Sequence, residues 1–248
     1  MIHLQQAQLN FGSTTALNGC DLKIDKGEQV ALIGPSGSGK SSLLKVLATE
    51  HTLTSGTLAI ENQFISTLRS PQLRQLRCRI GYIPQDLALV PNLKVSQNIL
   101  LGKVGQQNLL GTLKSLLLPS KSDLEQIFQL LGEIGISEKL FHRTDSLSGG
   151  QQQRAAIARA IFQQASILLA DEPVSAVDPS RAHSLLECLT GLSTKHELTL
   201  VCSMHNLEYA KTFFPRLIGM REGKIIFDGT PESFTEKDFS ELYSLDNA

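Results

Sequence analysis

The residues Gly34-Pro35-Ser36-Gly37-Ser38-Gly39-Lys40-Ser41 fit the pattern G-x-x-x-x-G-K-[ST]. This is chemistry for phosphate. Glycines let the backbone bend so that successive N–H groups converge on an anion. A helix starting there aims the positive end of its dipole at the same anion. Lys40 is then placed to reach the β- and γ-phosphates as a mobile cation, and Ser41 to put a hydroxyl on Mg²⁺. With glycine near 7% of average composition, a chance match in a chain this long is on the order of one in a hundred. The alternative is a Gly/Ser-rich turn with a surface lysine.

A second group of reactive residues ends an apolar run, Ile167-Leu168-Leu169-Ala170-Asp171-Glu172. A buried strand of this kind delivers its last side chains to the edge of a parallel sheet, where open α/β folds bind ligands. Asp171 suits holding Mg²⁺, directly or through its water. Glu172 suits polarising the water that attacks a γ-phosphate. Strands also end in polar turn residues, and Pro173 supports a turn. A phosphate loop in the same chain favours the functional reading.

These groups need elements to position them. Gln29 to Ile33 is a compact apolar run that reads as a buried strand leading into the loop, and Ser41 to Thr49 reads as a helix leading out. Further buried strands are expected at 167–170, 198–202 and 217–220, with helices at 151–164 and 181–192 between them. That alternation predicts an α/β fold with a mostly parallel sheet. Ile2 to Phe11 and Cys20 to Ile24 alternate and end in turn signals, which predicts an antiparallel appendage. From about Leu87 to Ser146 the pattern is Leu-rich and helix-like. We expect one domain over residues 1–248. An ATPase core comprises 1–86 and 155–248, and a helical subdomain 87–154 is inserted in it.

The string Leu147-Ser148-Gly149-Gly150-Gln151-Gln152-Gln153-Arg154 precedes Ala155-Ala156-Ile157-Ala158-Arg159-Ala160, a strong helix former. A serine and two glycines at a helix start make a second anion-binding end. Taken with the phosphate loop and the acidic strand, this string resembles the signature of the ATP-binding-cassette (ABC) ATPases, over essentially the whole chain. Other family landmarks have counterparts. Gln85 in Ile83-Pro84-Gln85-Asp86 resembles the glutamine loop. Ser175-Ala176-Val177-Asp178 resembles the D-loop, with Val177 where leucine is more usual. His205 resembles the switch histidine, although a lone histidine after a strand is otherwise an ordinary residue. Phe11 resembles the aromatic residue that stacks on adenine, often a tyrosine; its alternative is a core residue.

The resemblance implies a P-loop NTPase fold with ATP and Mg²⁺ as cofactors. It also implies that two copies pair head to tail. Each ATP then lies between residues 34–42 of one copy, Ser42 included, and Ser148, Gly149, Gly150 and Gln151 of the other. Glu172, His205, Gln85 and Lys40 would be catalytic, Ser41, Gln85 and Asp171 would hold the metal, and Asp178 would help join the two sites.

Composition bounds the partners. The chain has 248 residues, 41% of them apolar, enough for a sizeable core. Charge nearly cancels, with 23 Lys+Arg against 24 Asp+Glu. That argues against nucleic acid, and the cluster Arg69, Arg74, Arg77 and Arg79 reads as a solvated face or local ion pairs. No apolar run approaches the roughly 20 residues needed to span a bilayer, and the first residues lack a signal-peptide pattern. The expected location is the cytoplasmic face of the cell membrane, held there peripherally. Cys20, Cys78, Cys188 and Cys202 match no usual zinc spacing and read as reduced thiols serving as small hydrophobes.

A free-standing importer ATPase subunit fits a single cassette without membrane helices. Three stretches are similar to the ATPase subunits of phosphonate importers: 89–100, 102–122 and 216–229. The implied partners are integral membrane permease subunits and, indirectly, a solute-binding protein. Other cargoes, and a soluble ABC ATPase acting on nucleic acid or ribosomes, are the alternatives. Leu109, Leu110, Leu113, Leu116 and Leu117 recur at helical spacing. Such a stripe packs on its own domain or helps form the groove for a permease helix.

Overall fold

In the computed structural model, residues 1–175 and 178–243 are described. The chain opens with two antiparallel strands, β1 (Ile2–Phe11) and β2 (Thr14–Ile24). Next come β3 (Gln29–Ile33), the phosphate loop and α1 (Lys40–Leu47). β4 (Ser55–Ile60) and β5 (Gln63–Phe64) return to β1, giving a four-stranded antiparallel sheet in the order β2-β1-β4-β5. After α2 (Ser70–Arg77), β6 (Ile80–Ile83) enters the second sheet. The helical segment follows, with α3 (Val95–Leu100), α4 (Leu109–Leu117), α5 (Lys121–Glu133) and the first turns of α6 (Gly149–Phe162). The chain then alternates through β7 (Ile167–Asp171), α7 (Pro179–Lys195), β8 (Thr199–Ser203), α8 (Leu207–Phe213) and β9 (Arg216–Arg221). It closes with β10 (Lys224–Gly229) and α9 (Glu236–Tyr243).

The second sheet runs β10-β9-β3-β8-β7-β6 and is parallel except for the hairpin β9–β10. Successive residues of a strand face opposite sides, so this sheet feeds two cores. Ala31, Ile33, Leu168, Ala170, Leu200 and Cys202 face the helices α3, α5, α6 and α7. Val30, Leu32, Leu169 and Val201 face α1 and the antiparallel sheet. The near-continuous apolar strands reflect cover on both faces. Cys20 and Cys202 pack in these cores as small apolar side chains.

The expected helix at 151–164 starts two residues earlier, and the one at 181–192 runs from Pro179 to Lys195. The division between Arg154 and Ala155 falls inside α6, a continuous helix, so core and helical segment share one rod. The leucine stripe does not pack on its own domain. Leu109, Leu110, Leu113 and Leu117 are exposed, and only Leu116 of the five packs against the core. Periodicity marks an apolar face but does not say what covers it.

Asn98 is fully buried and anchors the segment that follows Gln85. Its Oδ1 accepts from the Val90 N–H at 2.8 Å. Its amide donates to the Val90 carbonyl at 3.0 Å and the Thr144 hydroxyl at 2.8 Å. Asn98→Ala strands several buried polar groups at once and is expected to lower unfolding free energy by about 3 kcal/mol, read by urea denaturation. A loss below about 1 kcal/mol would mean that this segment is held by other contacts.

Candidate active site

Two glycines in the phosphate loop are required by space as well as by dihedral angle. Gly34 has φ +143°, and a Cβ there would lie 2.1 Å from the Met220 carbonyl. Gly39 has φ +103°, and a Cβ there would lie 2.6 Å from the Ala16 carbonyl. The loop is thus wedged between β9 and β2, with Ser36 and Gly37 exposed at its tip. Ser38 and Lys40 are buried. The Lys40 ammonium donates to the Gly34 and Pro35 carbonyls at 2.8 and 2.9 Å. Burial pushes its pKa down, and the nearby carboxylates of Glu172 and Asp171 oppose that shift. Ser41 and Ser42 open α1.

The parallel register sets Asp171 beside Ser203, at the ends of β7 and β8. Asp171 Oδ1 accepts from the Ser41 hydroxyl at 3.0 Å and from the Ser203 hydroxyl at 2.7 Å. The Ser203 hydroxyl also accepts the Glu172 N–H at 2.9 Å. One side chain therefore orients both acidic residues. Sequence motifs did not single out Ser203, because its role exists only through the β7–β8 register. Glu172 sits at φ +50°, a left-handed conformation unusual for a side-chain-bearing residue and frequent at functional sites. The tight turn 172–175 holds it there, with Ser175 donating twice to the Glu172 carbonyl.

The Glu172 carboxylate is gripped from both sides. Gln85 Nε2 donates to Oε2 at 3.1 Å, and His205 Nε2 meets Oε1 at 2.5 Å. Gln85 arrives from beyond β6 and His205 from beyond β8, the strands flanking β7. Lys40, Ser41, Asp171, Glu172, Gln85 and His205 thus form one connected group at the carboxyl edge of the sheet. The chemistry of this set fits a phosphate chain with a small, hard cation. It offers a cation on a glycine loop, a hydroxyl beside a carboxylate, and a second carboxylate with hydrogen-bonding neighbours.

Three expected residues lie apart from that group. Phe11 is half exposed at the end of β1, edge-on to His51 with ring centroids 5.2 Å apart. It is therefore not a core residue. Ser148 caps α6, with Gln151 Oε1 accepting the Ser148 N–H at 3.1 Å. Asp178 caps α7: its Oδ1 accepts from the Arg181 N–H at 3.1 Å and from the Ser180 hydroxyl at 2.6 Å. The Ser180 hydroxyl is the main reason its pKa lies below the usual carboxylate range. Ala176 and Val177, of the stretch resembling the D-loop, fall outside the described residues. Among the described residues, no hydrogen bond joins Phe11, Ser148–Gln151 or Asp178 to the phosphate loop.

Residues 17–175 match the family model described as ABC transporter. The chain belongs to the ABC transporter family. The cassette is 44% identical over 244 residues to the phosphonates import ATP-binding protein PhnC of Pseudomonas entomophila, covering 98% of this chain and 91% of that one. It is 42% identical over 230 residues to the protein of the same name from Bacillus anthracis, covering 93% and 89%. Its fold matches a dimeric ATP-binding cassette bound to ADP and Pi in a post-hydrolysis state. That match has a TM-score of 0.80 and 28% identity, covering 93% of this chain and 99% of the other. The phosphate loop, Gln85, Ser148–Gln151, Asp171 and Glu172 all lie inside the matched span; Asp178 and His205 lie beyond it. Among the described residues of the cassette, no helix is long and apolar enough to cross a membrane.

Three of the four arginines of the cluster are tied down locally. Arg74 donates to the Gly105 and Gln107 carbonyls, Arg77 to Thr49, and Arg79 pairs with Glu61. Arg159, half-buried in α6, donates to the Leu87 and Ala88 carbonyls at 2.7 and 2.6 Å. It links the helix that starts at the signature string to the turn after Gln85.

Proposed function

We propose that this chain is the ATP-hydrolysing subunit of an importer that takes up phosphonate or a related phosphorus oxyanion across the cytoplasmic membrane. The observation that carries hydrolysis is the Glu172 carboxylate gripped by Gln85 and His205 beside the Ser41–Asp171 pair. Residues 34–42 cradle the phosphates, and Lys40 turns from the loop carbonyls to the β- and γ-phosphates. Ser41, Asp171 and Gln85 would hold Mg²⁺, which when bound would neutralise charge on the phosphate oxygens. Glu172 accepts a proton from the attacking water, and His205 and Gln85 fix that carboxylate's direction. Phe11 offers its exposed ring face to adenine.

The active form is a head-to-tail pair, in which Ser148, Gly149, Gly150 and Gln151 complete the partner's ATP site and Asp178 joins the two sites. A geometric detail supports this. A Cβ at Gly149 or Gly150 would meet nothing within 4 Å in the chain itself, so its own fold makes no use of glycine there. Glycine at that helix start suits close approach by something from outside the chain. ATP binding then favours the closed pair, and product release reopens it.

The core (1–86 and 155–248) hydrolyses, and the helical subdomain (87–154) meets the permease. The exposed leucines of α4 suit an apolar partner, and a cavity of about 740 Å³ opens between α2 and α6 close by. The subunit sits peripherally on the cytoplasmic face. Cargo follows from the similarity to phosphonate import proteins. No residue of this subunit need touch the solute, which is read by the permease and a solute-binding protein.

Reconstitution of the subunit with its permease and solute-binding protein tests the cargo. Phosphonate, phosphite or phosphate is expected to stimulate ATP hydrolysis severalfold. Stimulation by amino acids alone would overturn the cargo reading, and co-purification with ribosomes or DNA instead of integral membrane proteins would overturn import itself.

A further inference from the structure

Tyr82 has no place in the motifs above, yet the sheet brings it to the metal site. In the β6–β7 register Tyr82 stands opposite Leu169. Asp171, two residues further along β7, therefore projects from the same face of the sheet. A diagonal neighbour at this spacing is within reach of a long aromatic side chain. The ring packs in the apolar cluster that contains Leu169. Its hydroxyl is shut off from solvent and makes no well-formed hydrogen bond, although it lies within interaction range of the Asp171 carboxylate. Burial, the negative charge of Asp171 and Glu50, and a hydrogen-bond interaction with the Asp171 side chain push the phenol pKa up, so the group keeps its proton. Asp171 already takes the Ser41 and Ser203 hydroxyls, both on Oδ1. Oδ2 is the oxygen left for a third donor.

An unsatisfied buried hydroxyl is unfavourable, and phenylalanine would fill the same space without one. A tyrosine here therefore calls for a state in which the hydroxyl is used. We propose that Tyr82 is a positioning residue of the metal site, its hydroxyl donating to Asp171 and fixing that carboxylate's direction toward the Mg²⁺ that arrives with ATP. This rests on the reading of Asp171 as a metal ligand. Donors to ligating carboxylates commonly set metal affinity, and losing one weakens it about 10- to 100-fold. Tyr82 also lines the cavity between α2 and α6.

The test uses the full chain, a non-hydrolysable ATP analogue, and Mn²⁺ as the probe, with free Mn²⁺ counted by electron paramagnetic resonance. Tyr82→Phe is expected to raise the Mn²⁺ dissociation constant about tenfold. Metal-free nucleotide affinity should stay within about twofold and the melting temperature of the nucleotide-free protein should not fall, because the hydroxyl makes no well-formed bond there. Asp171→Asn is the reference and should weaken Mn²⁺ more strongly. Wild-type Mn²⁺ affinity in Tyr82→Phe, with Asp171→Asn weakened, would overturn the role of Tyr82 alone. Wild-type affinity in Asp171→Asn would overturn the metal reading beneath it. A Tyr82→Phe protein that loses metal affinity, metal-free nucleotide affinity and melting temperature together would reveal a packing role instead, and so would also overturn the proposal.

Discussion

Glu172→Gln is expected to bind ATP normally and hydrolyse it at least about tenfold more slowly, since a positioned general base contributes about 10²- to 10⁴-fold. The change is nearly isosteric. The tight turn 172–175 and the Ser203 contact to the Glu172 N–H involve the backbone and survive it. Gln85 and His205 meet different oxygens of the carboxylate, and glutamine keeps only one of them as an acceptor, so one of the two contacts must rearrange. What disappears is the capacity to accept a proton from water. On the proposed head-to-tail pairing, ATP then persists between two copies and the closed pair is expected to accumulate. Phosphate release measures the first effect, and gel filtration with ATP measures the second. Near-normal turnover would remove Glu172 from the base role.

Lys40→Ala should fail one step earlier. The buried ammonium donates to the Gly34 and Pro35 carbonyls and is the cation of the phosphate loop. Alanine removes the attraction for phosphate and leaves the loop carbonyls without their donor. A hydrogen bond to a charged group contributes about 1.5–3 kcal/mol, so ATP affinity is expected to drop by at least about tenfold. Fluorescent ATP titration reads this directly. A variant that binds ATP as the wild type does, yet fails to hydrolyse it, would confine Lys40 to the chemical step.

The two variants divide along a line that the sequence already suggests. The phosphate loop, the acidic strand end and the string at Ser148 are legible because each is a contiguous run whose chemistry needs neighbouring residues. Gln85 and His205 were found by order along the chain, and the sheet explains that order: each follows a strand that flanks β7. Ser203 and Tyr82 were not legible. Each is one polar residue in an apolar strand, and each acquires a role only through pairing with β7. The strands β4, β5, β6 and β10 also went unread, because they are held by partners far along the chain or at the edge of a sheet. The leucines of α4 carry the same lesson in reverse. Their spacing marked an apolar face, and that face points outward.

The open space around Gly149 and Gly150 has a practical consequence. A variant library sorted for solubility, expression or heat resistance would pass nearly every small substitution at these two positions, since nothing within the subunit is disturbed. Some would score above the parent, because alanine suits a helix better than glycine. On the proposed head-to-tail pairing, the cost would surface only where two copies must close on ATP, as lost hydrolysis in a protein that looks improved by every assay of folding. At these two residues, tolerance measured on the single subunit is a poor guide to tolerance in the cell.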